Sequence, residues 1–243
     1  WLKSRRNCLL RMMAEDLARK HRITDADKDP SLLPPDATDE EKAKRFYNAA
    51  VMLEEGEDAK FSDGTVWPER VCLTTALMLN PNFGSAYFNL GVSLAEDETV
   101  SMFGHDWTQK QLWIRAIDCD PSSRIEWWTL AEHLEDGATV RFGDDSVWDR
   151  HRLLMRCITF SKDEKVTIDG TECTLQDVYL KAIDIDPVFS YAYARLAKCL
   201  QADQRIRLPD DTEVNAEDLI ARAKELNPHS LEECEAPVQE DGE

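Results

Sequence analysis

Metal-ligand spacing, phosphate loops and long apolar runs are all missing from this sequence. No apolar stretch reaches the roughly 18 residues that a membrane-crossing helix requires, so no such span is expected. The seven cysteines (Cys8, Cys72, Cys119, Cys157, Cys173, Cys199 and Cys234) form no CxxC pair and no Cys/His set at zinc spacing, and none of the five His sits in a ligand cluster. Odd in number, widely spaced and mostly set in apolar helical patterns, they read as reduced core thiols of an intracellular protein. No Gly-rich phosphate loop, Ser/His/Asp arrangement or nucleophile motif is present, and abundant acidic side chains on helices usually form a solvated face. The expectation is therefore no catalytic residue, no metal and no cofactor. Positive charge is scarce as well: 29 Lys and Arg face 48 Asp and Glu, for a net charge of −19. That balance argues against nucleic acid or anionic lipid as a partner of the acidic body and favours basic surfaces of other proteins. The chain begins with Trp1 rather than Met and so reads as a fragment with a truncated N-terminus. A cytoplasmic or cytoskeletal location is expected, with an organellar one left open by that start.

A hydrophobic content of 42% with seven Trp marks a folded chain, and 243 residues suffice for one domain or a repeat array. The charge is uneven. In residues 1–22, "WLKSRRNCLLRMMAEDLARKHR", seven basic side chains against two acidic ones give +5, which leaves −24 for the rest of a chain at −19. Leu2, Leu9, Leu10, Met13 and Leu17 recur near helical spacing, so the segment reads as a basic amphipathic helix. Either it packs on the acidic body or it is a partner-binding arm through Arg5, Arg6, Arg11 and Arg19. Residues 23–42 are rich in Pro and Asp and read as a linker. Asp25, Asp27, Asp29 and Asp36 match positions 1, 3, 5 and 12 of a calcium loop, but Pro30 stands where Gly is needed and position 12 lacks Glu, so calcium binding is not expected. Residues 229–243 form an acidic tail.

Residues 43–228 read as an array. Pro81, Pro121, Pro187 and Pro228 each follow an apolar helical pattern, with Lys162 in the same slot of a degenerate copy. Five positions earlier stand Ala76, Ala116, Cys157, Ala182 and Ala223; small residues at a fixed site let helices approach closely. Asn80-Pro81, Asp120-Pro121, Asp186-Pro187 and Asn227-Pro228 stop the helices, since proline cannot continue them. Upstream lies a second recurring helix, "FYNAAVML", "YFNLGVSL", "WWTLAEHL" and "YARLAKCL", with one apolar face in each copy. Between the two, "AKFSDGTVW", "VSMFGHDW", "VRFGDDSVW", "VTIDGTEC" and "IRLPDDTEV" alternate and then turn at Gly or Asp, the pattern of a short β-hairpin. Thr108, Asp149, Thr174 and Asn215 are the expected N-caps of the second helices. The units expected are 43–81, 82–121, 122–162, 163–187 without a first helix, and 188–228. From Lys162 to Val166 is only four residues, where the other copies take nineteen from the anchor to the hairpin.

Aromatic-x-x-Leu-Gly/Ala in the first helix, Ala in the second and a closing Asp-Pro resemble the tetratricopeptide repeat. That repeat is about 34 residues long, whereas Phe46 to Tyr87 is 41 and Tyr87 to Trp127 is 40, the excess lying in the hairpin. The resemblance implies a mainly α fold, an α-α superhelical solenoid whose concave face is lined by the first helices. Its lining positions fall on Tyr47, Asn48 and Val51; Phe88, Asn89 and Val92; Trp128, Thr129 and Glu132; and Ala194, Arg195 and Lys198. Tyr47, Asn48, Phe88, Asn89, Val92, Trp128, Thr129, Arg195 and Lys198 are the partner-binding candidates, and packing against neighbouring repeats is the alternative for Phe88 and Trp128. The function implied is a non-catalytic interaction scaffold, either a structural subunit of a cytoskeletal, ciliary or organellar assembly or a co-chaperone-type adaptor. The adaptor would clamp a C-terminal carboxylate with Asn48, Asn89, Arg195 and Lys198, a pattern that Thr129 and Glu132 interrupt.

Overall fold

The computed structural model describes residues 23–54, 56–159, 166–168, 171–201 and 203–230. They are mainly helical, with small two-stranded hairpins. In chain order come α1 (Asp39–Val51), β1 (Asp58–Lys60), β2 (Val66–Pro68) and α2 (Glu69–Leu79); then α3 (Gly84–Ser93), β3 (Thr99–Met102), β4 (His105–Thr108) and α4 (Gln109–Cys119). There follow α5 (Arg124–Glu132), β5 (Thr139–Arg141), β6 (Val147–Asp149) and α6 (Arg150–Thr159); β7 (Val166–Ile168), β8 (Thr171–Cys173) and α7 (Leu175–Ile185); and α8 (Ser190–Cys199), β9 (Ile206–Arg207), β10 (Glu213–Val214) and α9 (Ala216–Leu226). The order helix, hairpin, helix thus recurs, and among the described residues the hairpin β7–β8 has no helix between it and α6. The chain divides into two compact units, one running to Glu126 and including Arg141–Ser146, the other made of Trp127–Val140 and the chain from Val147.

Four of the second helices, α2, α4, α7 and α9, end in the same way. The backbone N–H of Asn80, Asp120, Asp186 and Asn227 donates to the carbonyl of the small residue four positions back, Ala76, Ala116, Ala182 and Ala223. The side-chain Oδ1 of the same residue then accepts from the backbone N–H two residues on, at 3.1 Å for Asn82, 3.0 Å for Ser122, 3.2 Å for Val188 and 2.9 Å for His229. Asn and Asp are used because their short side chains reach this N–H and satisfy it where the following Pro has none to offer. In two copies the aromatic of the next helix secures the corner: the hydroxyls of Tyr87 and Tyr193 donate to the carbonyls of Pro81 and Pro187 at 3.3 and 3.1 Å.

The hairpins also share a construction. Phe61, Phe142 and Leu208 donate their N–H to Thr65, Ser146 and Thr212 carbonyls and accept from Gly64, Asp145 and Asp211, closing three turns of equal length. The donor in each turn has positive φ, +85° at Gly64, 67° at Asp145 and 69° at Asp211. The β3–β4 turn is tighter, with φ of 53° at Phe103 and 85° at Gly104, the two positive values that a two-residue hairpin turn requires. On the second strand of three hairpins a Trp lies against the first-helix aromatic: Phe46 with Trp67 at 5.0 Å, Tyr87 with Trp107 at 5.7 Å and Trp127 with Trp148 at 4.9 Å between ring centroids.

Helix starts follow the expected caps. Thr108, Thr174 and Asn215 form capping boxes with Gln111, Asp177 and Asp218, and Asp149 Oδ1 accepts from the N–H of Arg152 at 2.8 Å. Ala76, Ala116, Cys157, Ala182 and Ala223 are buried, as are Leu73, Leu77, Leu90, Trp113, Leu130, Leu154 and Leu196. The stretch read as a linker is more ordered than a linker. It carries two 3-10 turns, Ala26–Lys28 and Pro30–Leu32, and α1 starts within it, at Asp39, behind a Thr38–Glu41 capping box. Three of its acidic side chains are engaged within the chain: Asp25 pairs with Lys28 at 2.9 Å, Asp27 accepts from Thr24, and Asp29 accepts from Ser31 and from the N–H of Ser62. Burial works against ionisation of Asp29, but these hydrogen bonds outweigh it and hold the carboxyl below its usual range.

Candidate interaction face

In the first unit the candidate positions lie on α1 and α3. Tyr47 is 5% exposed, its ring 4.7 Å from that of Phe83. Its hydroxyl accepts from Asn89 Nδ2 at 3.1 Å, and the same amide donates to the Ser85 carbonyl at 2.9 Å. Asn48 Nδ2 donates to the Asp27 carbonyl at 3.0 Å, beside Arg45, which donates to the carbonyls of Ala26 and Asp29. Phe88 is fully enclosed, and Asn48, Asn89 and Val92 are buried. Residues expected to meet a partner are thus occupied inside the chain: Asn48 ties the segment 26–29 to α1, and Asn89 joins α3 to α1. Burial pushes the Tyr47 phenol up to about 12. Near it, burial pushes the carboxyl of Glu126 up to about 7, although Ser123 Oγ donates to it.

An open groove of about 630 Å³ borders this network, lined among others by Ile23, Lys44, Tyr47, Asn48, Phe83 and Ser85. Its walls are α1, the corner between α2 and α3, and the segment before α1. Its lining is mixed, with Asp27, Glu40, Glu41 and Arg45 among the apolar and amide side chains.

In the second unit, Trp128 and Thr129 on α5 are buried, and Trp128 Nε1 meets no acceptor among the described residues. On α8, Arg195 is half-buried and Lys198 exposed. Arg195 Nε donates to the Tyr191 hydroxyl at 2.9 Å and its guanidinium lies 5.1 Å from that ring's centroid, a cation–π arrangement. Of the nine candidates, then, only Arg195 and Lys198 present surface. Arg5, Arg6, Arg11 and Arg19 lie outside the described residues. The burial at Tyr47, Asn48, Phe88, Asn89, Val92, Trp128 and Thr129 comes from tertiary packing, which a helical period cannot distinguish from a lined groove.

Two groupings have no counterpart in the sequence reading. One is the Tyr47, Asn89, Ser85 and Glu126 neighbourhood; the other is His151 Nε2 against Asp186 Oδ2 at 2.8 Å. The sequence carries no local signal for the second: Asp120 and Asp186 are both carboxylates at the same corner position, and only the structure shows that Asp186 is the buried one. Among the described residues no group of three His, Cys, Asp or Glu is arranged to hold a metal ion, and no helix is long and apolar enough to cross a membrane. Cys72 and Cys157 are buried, and burial drives the Cys72 thiol up to about 12, away from the nucleophilic thiolate. No protein-family model matches the chain, and no curated protein matches it either.

Proposed function

We propose that this chain is a non-catalytic protein–protein interaction scaffold, a structural subunit of a larger assembly, whose helix pairs stack as a tetratricopeptide-like superhelix. The observation that carries the reading is repetition of contact as well as of element: the same Asx-Pro corner and the same hairpin turn recur along the chain. Residues with chemical potential serve this construction. The amides of Asn48 and Asn89, which a carboxylate clamp would aim at a peptide, donate within the chain instead, which favours the assembly subunit over the adaptor. Arg195 and Lys198 on α8 remain as the candidate contact surface.

The test is sedimentation of the tagged full-length protein from its native cells at low and at high salt. A subunit migrates with a fixed set of partners in near-stoichiometric amounts through both, and loses at least half of them when Arg195 and Lys198 are replaced by Ala. Sedimentation as a monomer at both salt concentrations refutes the reading.

A further inference from the structure

The joint between α6 and the corner ahead of α8 differs from the other corners of the chain. Asn80, Asp120 and Asn227 make the corner turn while partly or fully open to solvent, whereas Asp186 is buried. Against it lies His151, from the first turn of α6, whose Nε2 is 2.8 Å from Asp186 Oδ2. The imidazole also stacks on Phe189, 5.2 Å between centroids with the planes 20° apart. Phe189 stacks in turn on Tyr191 at 6.0 Å, and the Tyr191 hydroxyl receives Arg195 Nε at 2.9 Å. Asp186, His151, Phe189, Tyr191 and Arg195 therefore form a continuous run of contacts from the corner carboxylate to α8, all within the second unit.

Sequence position explains why the run exists here. His151 stands eleven residues before the Lys162 anchor, the place that Arg70 holds before Pro81. Arg70 reaches the C-terminal end of the following first helix, donating to the Ser93 carbonyl and pairing with Glu98. After α6 no first helix stands before β7 among the described residues, and the Asp186–Phe189 corner occupies His151 instead.

We propose that His151 and Asp186 form a pH-dependent latch that replaces the contact a missing helix would have supplied, and that protonation of His151 is transmitted through Phe189 and Tyr191 to Arg195. The inference stands on this geometry and is independent of the scaffold reading. Both partners shift in the direction of an ion pair. The hydrogen bond to Asp186 raises the imidazole above 6.5 against the opposing effect of its burial, and Asp149 adds to the rise while Arg150 opposes it. Burial pushes the Asp186 carboxyl upward, but the hydrogen bonds from His151 and Val188 prevail and hold it below 3.8; the nearby Tyr193 hydroxyl is neutral in this range. A raised His adds stability fully below its unfolded value, lost as pH rises through its folded one. A lowered Asp adds stability above its unfolded value, lost on acidification. The latch contributes fully between about 3.8 and 6.5, and opens above that window as His151 loses its proton and below it as Asp186 gains one.

The experiment is an NMR titration of the full chain from pH 5 to 8.5, reading the His151 Cε1–H and Arg195 Nε–Hε signals. The expected result is a His151 midpoint above 6.5, with the Arg195 signal moving at the same midpoint. Asp186→Asn lowers the His151 midpoint, and His151→Gln leaves the Arg195 signal flat. A wild-type His151 midpoint at or below 6.5 overturns the latch, and this reading needs no variant to fold. An Arg195 signal that ignores the His151 transition overturns the transmission.

Discussion

Gly91 of α3 stands directly against Trp113 of α4, and replacing it with Ala isolates the energetic weight of that approach. A Cβ at this position lies 2.6 Å from Trp113 Nε1, 2.7 Å from its Cδ1 and 3.3 Å from the Gln109 carbonyl. The first two distances are inside van der Waals contact. The indole is a rigid ring, 1% exposed, so it has no solvent side into which to swing. Overfilling a packed core costs about 1–3 kcal/mol, and a contact this short with a walled-in ring belongs near the upper end. Against this, Ala is favoured over Gly in a helix interior by about 1 kcal/mol. The net is a loss of about 2 kcal/mol, or roughly 4–8 °C in Tm for a chain of this size. Chemical denaturation followed by Trp fluorescence measures the first quantity and calorimetry the second. A double-mutant cycle with Trp113→Leu sharpens the test, because Leu opens the space the methyl needs. The pair is then less destabilised than the sum of the single changes, by about 1 kcal/mol or more. If Gly91→Ala is as stable as the parent protein, the close helix approach is not what requires glycine there, and the argument from packing fails.

Other outcomes follow from the same geometry. Glu126 binds its proton more tightly folded than unfolded, so stability falls as pH rises from about 4.5 to about 7. Converted at about 1.4 kcal/mol per pH unit, the penalty above that window is on the order of 3 kcal/mol; Glu126→Gln removes it, and urea denaturation at pH 5 and pH 8 should show a gain confined to the higher pH. Gly64 has φ of +85°, and a Cβ added there would meet nothing within 4 Å, so only backbone conformation restricts it. Gly64→Val should cost about 1–2 kcal/mol, and Gly64→Asp distinctly less, since Asp already occupies the equivalent positions 145 and 211; thermal unfolding of the two variants distinguishes them.

Much of the architecture could be read from the chain because its signals are local and repeated. A proline behind a helix, a small residue five positions before it, and Asp or Gly at a turn each act through backbone stereochemistry within a few residues. Thr108 is recognisable as an N-cap from its place ahead of the apolar pattern, and the helix begins there, in a capping box with Gln111. Thr38 and Glu41 carry the same signal, obscured by an acidic, proline-rich context that read as linker. The candidate face was less legible for a different reason. Helical periodicity says that Tyr47, Phe88 and Asn89 share an aspect of their helices, but not what covers it. Their burial depends on groups distant in sequence, such as Phe83 and Asp27, for which the pattern offers no distance. The His151–Asp186 contact spans 35 residues and follows from a break in the repeat, so no periodic rule could locate it.

The hairpins carry a last implication. Every described sheet has two strands, and so each strand pairs along one side only. Ten short lengths of backbone thus present outward rows of amides and carbonyls, ready to template a further strand from a neighbouring molecule. Brevity and charge keep that from happening. The strands run two to four residues, and outward positions such as Lys60, Arg141 and Arg207 repel their own copies. Lengthening a hairpin by even a few apolar residues would turn a self-limiting ornament into a nucleus for polymerisation, so the length of these hairpins is constrained by colloidal behaviour as much as by fold.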